Sequence, residues 1–336
     1  MTDTVSAATG AFRAALTGPA GADGDLLHSG NAGFIIHRAG QLDHAYRTEG
    51  RAFAADLVEH LNKVMAGTAT VLVHEEVLGA VDRLHWLIHM KKPDDYRRFL
   101  EIADHDRSFK EITEADRLTQ RQGGNWERMF VEGSFRERVY VPQHGLDDHD
   151  TDHDDHDTDH DDRGAAHDDR GAAHGGHDDA HGGHGHDHDA DATTFVPPAR
   201  HQTGLPDSRL RSSADSGLTV IRTAQTFYRF RNEAREFAFA WASEVNRALG
   251  GELTVYLYEE TFGQQDRIHW MIHLDNLDVY RKLTELSRTD AAYRALFGRE
   301  FVPAHKGGGG WEQTFVPASI HDTVLTPLHG GAPIGF

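Results

Sequence analysis

The sequence predicts an α+β fold: two consecutive βαββαβ units whose sheets pack face to face as one α/β barrel within a single chain. Two observations carry this. First, the chain repeats itself at an offset of 184. Residues 74–86 read HEEVLGAVDRLHW and residues 258–270 read YEETFGQQDRIHW. Arg51 then meets Arg235, Asn62 meets Asn246, His85 meets His269 and His89 meets His273. After one inserted residue, Trp126 meets Trp311 and Pro142 meets Pro327. A repeat this long sets the architecture before any motif is read. Second, each copy shows the same order of apolar periodicities: strand, helix, two strands, helix, strand.

The elements follow in order. A short apolar strand opens each copy, at 34–37 and 218–222. A helix follows, with Phe53, Leu57, Leu61 and Met65 on one stripe and Phe237, Trp241, Val245 and Leu249 on its counterpart. Gly67 and Gly250-Gly251 stop these helices. Two alternating strands come next, 70–76 with 83–89 and 254–260 with 267–273, turned at Gly79 and Gly263. A second helix starts near Asp94 or Asp278, each an N-terminal cap or first-turn acid. A Gly-rich loop (Gly123-Gly124; Gly307 to Gly310) then leads to a last strand, expected at 126–131 and 311–316. The chain therefore divides into a disordered N-terminal segment 1–30, a first repeat 31–145, a disordered linker 146–216, a second repeat 217–330 and a tail 331–336.

The βαββαβ order is the ferredoxin-like unit. Its helices cover one face of the sheet, and a second copy is the natural cover for the other. In this the chain resembles the dimeric α/β-barrel superfamily. Members of that superfamily include antibiotic-biosynthesis monooxygenases, polyketide cyclases, muconolactone isomerase-like enzymes, chlorite dismutases and dye-decolourising peroxidases. The resemblance covers both copies and rests on element order and strand pattern. It implies an enzyme, and through its haem-binding members it implies haem as one cofactor to test.

Period two assigns the strand faces. Leu84, Trp86 and Ile88 belong under the helices, as do Ile268, Trp270 and Ile272. The opposite face carries His85, Leu87 and His89, and in the second copy His269, Met271 and His273. Across each hairpin, His74 faces His85 and Tyr258 faces His269. Glu76 and Glu260 face Arg83 and Arg267, as cross-strand ion pairs. His85 and His89 are four strand residues apart, roughly 13 Å, too far to chelate one ion. His74 with His85 is the better pair for Zn, Fe, Cu or Ni, with Glu76 or Glu127 adding a carboxylate. His85 and His269 are expected to act as acid/base or ligand residues, supported by Tyr258, Glu76 and Glu260. A polar group held on an inward face is costly unless used or satisfied. The bland alternatives are hydrogen-bonded core histidines and tyrosines that merely fill space.

The net charge of −20 misleads. Residues 147–191 hold 17 Asp, 11 His and 2 Arg, and contribute −15 of it. Such a tract cannot bury a core. Its closely spaced histidines, among them His149, His153, His156, His160, His184, His186 and His188, would bind divalent transition metals non-specifically. A solvated spacer is the plainer reading. The rest of the chain has no basic stripe, which argues against nucleic acid as a partner. It has no cysteine and therefore no disulfide or thiolate chemistry. No apolar run approaches a membrane span, and the first residues do not read as a secretory signal. A cytoplasmic protein is expected, with a small-molecule substrate, metal ions at the linker and self-association as partners to test.

Three functions fit this pattern. The leading one is an enzyme of specialised metabolism, acting on a small, largely apolar molecule in the barrel by oxidation, oxygenation or acid–base cyclisation or isomerisation, with or without a metal. The second is a non-catalytic metal buffer using the His/Asp tract. The third is a haem enzyme.

Overall fold

The computed structural model describes residues 26–144 and 194–328. Among them eight strands close an antiparallel barrel. The first half supplies β1 (Phe34–Gln41), α1 (Arg47–Val64), β2 (Ala69–Val77), β3 (Arg83–Met90), α2 (Asp94–His105), α3 (Arg107–Glu114) and β4 (Arg136–Pro142). The second half supplies β5 (Leu218–Gln225), α4 (Arg231–Leu249), β6 (Leu253–Phe262), β7 (Arg267–Leu274), α5 (Leu277–Thr289), α6 (Ala291–Phe297) and β8 (His321–Pro327). Around the barrel the order is β1-β3-β2-β8-β5-β7-β6-β4, and β4 pairs back onto β1. The halves meet edge to edge, through β2 with β8 and β4 with β6. Their sheets curve into one wall where the sequence suggested two faces packed together. Closure leaves no free sheet edge among the described residues.

The faces fall as period two requires. Trp86, Ile88, Phe53, Val58 and Leu61 share one core under the first-half helices. Trp270, Ile272, Phe237, Trp241 and Val245 share its counterpart. A third cluster fills the barrel, with Ile35, Leu87 and Tyr140 meeting Ile221, Tyr256, Tyr258, Met271 and Leu325. The hairpin register is as expected: His74 opposes His85, Leu72 opposes Leu87, Tyr258 opposes His269 and Tyr256 opposes Met271.

Asn62 and Asn246 lock helix to sheet. Each side-chain amide bonds both the N–H and the carbonyl of one strand residue, Val71 or Val255. Asp106 and Asp290 cap α3 and α6, accepting from Phe109 N and Tyr293 N. Gly33 and Gly217 precede β1 and β5. A Cβ at either would lie 2.1 Å from a backbone carbonyl, of Lys91 or Asp275, so only glycine fits.

Three expectations need correction. The last strands lie at β4 and β8; residues 126–129 and 311–313 are short 3-10 turns instead. Trp126 and Trp311 there stack on Phe53 and Phe237 at 5.9 and 4.9 Å, and this aromatic packing sets the turn beneath the helix. Second, part of the expected linker, residues 194–216, is built into the barrel, with 3-10 turns at Ala199–Gln202 and Asp207–Arg209. Third, residues 26–30, expected within the disordered N-terminal segment, are hydrogen-bonded to it. Leu27 N donates to Thr70 Oγ1 and Arg211 N to Thr254 Oγ1. Ser29 N donates to Ser213 Oγ while Ser213 N donates to Ser29 Oγ, both at 3.0 Å. These two segments thus cross the Thr70/Thr254 end of the barrel and plug it. The His/Asp tract, residues 1–25 and the tail 331–336 lie outside the described residues. No helix among the described residues is long and apolar enough to cross a membrane.

Candidate active site

The other end of the barrel carries the hairpin turns, and there the expected carboxylates sit. Glu76 Oε1 accepts from Ala80 N, and Glu260 Oε1 accepts from Gln264 N. Each carboxylate folds over its own turn, in the space that Gly79 and Gly263 leave free. The second oxygen of each points inward. Glu76 Oε2 lies 3.2 Å from His85 Nε2 and 3.6 Å from Arg83. Glu260 Oε2 lies 3.4 Å from His269 Nε2, 3.2 Å from Arg267 and 3.8 Å from Arg138. Burial raises the pKa of both carboxyls, but the histidine contacts and the turn N–H groups outweigh it and hold both below the usual carboxylate range.

Behind Glu76 runs a buried chain. His85 Nδ1 lies 2.8 Å from His37 Nε2, and His37 Nδ1 lies 2.8 Å from the Tyr140 hydroxyl. Donor and acceptor roles are fixed by its ends. An ionised Glu76 accepts from His85 Nε2–H, so His85 Nδ1 accepts from His37 Nε2–H, and His37 Nδ1 accepts from Tyr140 O–H. Desolvation pushes His37 well below its ordinary pKa and lowers His85, which keeps both rings neutral. Burial pushes Tyr140 up to about 12. The chain runs from a 0 % exposed phenol to a carboxylate with a 10 % exposed side chain beside the 43 % exposed Arg83.

The second half has a shorter chain. His269 Nδ1 lies 2.9 Å from Thr223 Oγ1, and Nε2 reaches only the longer Glu260 contact. Desolvation lowers His269 to about 4. Tyr140 packs across to this half, its ring 4.3 Å from that of His269. Tyr258 points away, its hydroxyl donating to Ser29 O in the plug.

His74 is fully buried and neither ring nitrogen has a protein partner. Desolvation lowers its pKa to about 3. An unpaired buried polar group costs about 1–3 kcal/mol. His89 and His273 lie toward the plug. His89 Nε2 bonds Ser213 Oγ at 2.9 Å, and His273 Nδ1 bonds Thr219 Oγ1 at 3.2 Å.

The expected metal trio does not assemble. His85 uses both ring nitrogens, on His37 and Glu76, and has no lone pair left for an ion shared with His74. Glu127 is exposed on the outer turn beside Trp126, away from the barrel axis. Among the described residues no group of three or more His, Asp or Glu is placed to hold a metal ion. Haem does not fit these residues either: the interior beside the histidines is filled by the packed cluster of Leu87, Tyr140, Tyr256, Tyr258, Met271 and Leu325, each at most 2 % exposed. The linker histidines lie outside the described residues.

Sequence reasoning brought together His85, His269, Glu76 and Glu260 and missed His37, Tyr140 and Arg138. The repeat itself held the clue: at its offset His37 meets Ile221, Tyr140 meets Leu325 and Arg138 meets Thr323. Polar residues present in only one copy mark where the halves diverge.

Comparison with known proteins adds a family. The model of the "Family of unknown function (DUF6039)" matches the chain twice, at residues 4–172 and 172–333. No curated protein matches. Among solved structures, the chain is similar to a "putative monooxygenase" from Lactobacillus acidophilus, at 6% identity and TM-score 0.46, over 88% of this chain and 93% of that one. It is similar to an anthrone oxidase-like protein, at 9% identity and TM-score 0.41, over 92% and 99% of the two chains. A chlorite dismutase mutant from Candidatus Nitrospira defluvii in complex with cyanide shows 12% identity and TM-score 0.42, over 89% and 92%. Likenesses at this level carry no inference about chemistry.

Proposed function

We propose that this chain, which belongs to the DUF6039 family, is a tandem duplication working as an acid–base enzyme, with its reacting centre at the barrel mouth beside Glu76. One observation carries the reading: the hydrogen-bonded chain Tyr140–His37–His85–Glu76, which joins a buried phenol to the barrel rim. Its orientation suits proton removal at the rim. The N–H and O–H groups of His85, His37 and Tyr140 all donate toward Glu76 and hold its carboxylate ionised and aimed. Glu76 takes the substrate proton and then releases it to solvent. One proton enters, one leaves, and both rings stay neutral.

Arg138 supports the developing charge. Five charged groups gather at this mouth: Arg83, Arg138 and Arg267 against Glu76 and Glu260. The excess cation suits the oxyanion left when a carbon acid or phenol loses its proton. The substrate is a small, largely apolar molecule with one polarised oxygen. Its proton loss opens cyclisation, isomerisation or oxygenation, and the residues do not choose among these.

The test is proton exchange in deuterated water, followed by NMR, over a panel of 1,3-diketones and hydroxyaryl ketones. The native protein is expected to accelerate exchange of at least one. Glu76→Gln and His85→Ala are expected to lower that rate by about 100-fold or more, the usual size of a general-base contribution. Unchanged exchange in both variants would remove the site.

A further inference from the structure

Outside the barrel, on the second half, a crevice of about 280 Å³ opens where α4, α5 and α6 meet over β5. We infer that it is a second binding site, for a small neutral aromatic molecule such as a phenol or indole. Its walls are Trp241, Tyr293 and Phe297, its floor is Arg222 with Tyr280, and Thr284 stands at its rim.

The walls are held before any ligand arrives. Trp241 Nε1–H donates to the Tyr293 hydroxyl at 2.9 Å. The Trp241 ring meets Trp270 edge-on at 5.8 Å, and the Arg222 guanidinium lies 5.3 Å over it. Arg222 is clamped by Asp322 through Nε and Nη2, both at 2.8 Å, and Tyr280 O–H donates to the same carboxylate at 3.1 Å. Side chains already fixed lose little freedom on binding, so contact with them is converted into affinity. Aromatic walls with a few fixed polar groups are the usual make-up of a small-molecule site.

Charge selects the ligand class. The aromatic lining alone would also suit a cation, but Arg222 already occupies the Trp241 face that a cation would take. An anion is disfavoured because Asp322 already neutralises Arg222. A neutral ring satisfies both. At the repeat offset the first half has Leu57 for Trp241, Phe109 for Tyr293 and Thr113 for Phe297, so the hydrogen-bonded aromatic wall belongs to the second half alone.

The test uses the full chain and p-cresol, followed by NMR shifts of the Trp241 indole N–H, with benzoate and phenyltrimethylammonium in parallel. A saturable shift with p-cresol is expected, with the two charged probes at least ten-fold weaker. Thr284→Trp fills the crevice from an exposed helix position and is expected to weaken p-cresol at least ten-fold. Ser287→Trp does the same from the next turn if the first variant does not fold. His85→Ala, in the barrel, is expected to leave binding unchanged, which separates this site from the barrel site. No saturable shift, equal binding of phenyltrimethylammonium or benzoate, or full binding by a folded crevice-filled variant overturns the inference.

Discussion

The two halves of the barrel share a backbone register and differ in what stands behind the shared histidine. His85 and His269 occupy equivalent positions, each against a carboxylate that folds over its own turn. Behind His85 the chain continues through His37 to Tyr140. Behind His269 it stops at Thr223, because Ile221 and Leu325 stand where His37 and Tyr140 would. A repeated residue therefore marks a repeated position. Its chemistry is set by neighbours on other strands, and those were free to diverge once the hairpin geometry was fixed.

The strongest way to break the comparison is to make the first half like the second. His37→Ile leaves the Tyr140 hydroxyl and His85 Nδ1 without their shared partner. Proton exchange is expected to fall by about 100-fold. Unfolding in urea should show a loss of about 2–6 kcal/mol, from two buried groups at about 1–3 each. A variant with native stability and native exchange would show that the two halves do not differ as described.

The next test is pH. His74 is lowered to about 3 and His269 to about 4 in the folded chain, both by burial. The unfolded chain binds protons at these residues from about pH 6.5 downward, whereas the folded chain resists until about 3–4. Stability is therefore full above about pH 6.5 and falls as pH drops toward 4. Glu76 and Glu260, held below their usual range, act in the same direction at lower pH. His74→Tyr, which copies Tyr258, removes one of these protons. Thermal melts between pH 7 and 4 should then show a shallower fall than the native chain, and an identical slope would assign His74 no share in it.

Smaller differences sharpen the comparison. Asn246 is buried and Asn62 partly exposed, although each makes the same pair of bonds. Asn246→Ala should cost about 2–3 kcal/mol and Asn62→Ala about 1–2, because the space that Asn246 leaves is closed to water while the partly exposed Asn62 position admits it. Denaturation midpoints at matched slope would decide, and equal costs would mean that burial does not separate them. The plug offers the smallest contrast. Ser29 and Ser213 exchange equivalent bonds, but Ser213 also holds His89 Nε2. Ser213→Ala should cost about 1 kcal/mol more than Ser29→Ala, and the reverse order in the same assay would contradict the assigned partners.

Much of this was legible in the chain. Period two placed His85, Leu87 and His89 inward and Trp86 outward under the helices, and the tight turns fixed His74 against His85 and Tyr258 against His269. The last strands were misplaced because Trp126 and Trp311 carry strand-like apolar neighbours yet serve as aromatic wedges under a helix. Glu127 looked available for a metal because its position in space depends on that same wedge.

By itself the sequence determined the repeat, the two hairpins with their registers, the inward histidines and the two carboxylates. All of these follow from local periodicity and short turns, which leave one pairing for residues close in the chain. Only the tertiary structure decided that the halves join edge to edge, that residues 26–33 and 199–216 plug one end, and that His37 and Tyr140 complete the hydrogen-bonded chain. His37 and Tyr140 are 103 residues apart. No turn fixes the register between strands so distant; the pairing of β4 beside β1 in the folded sheet brings them together.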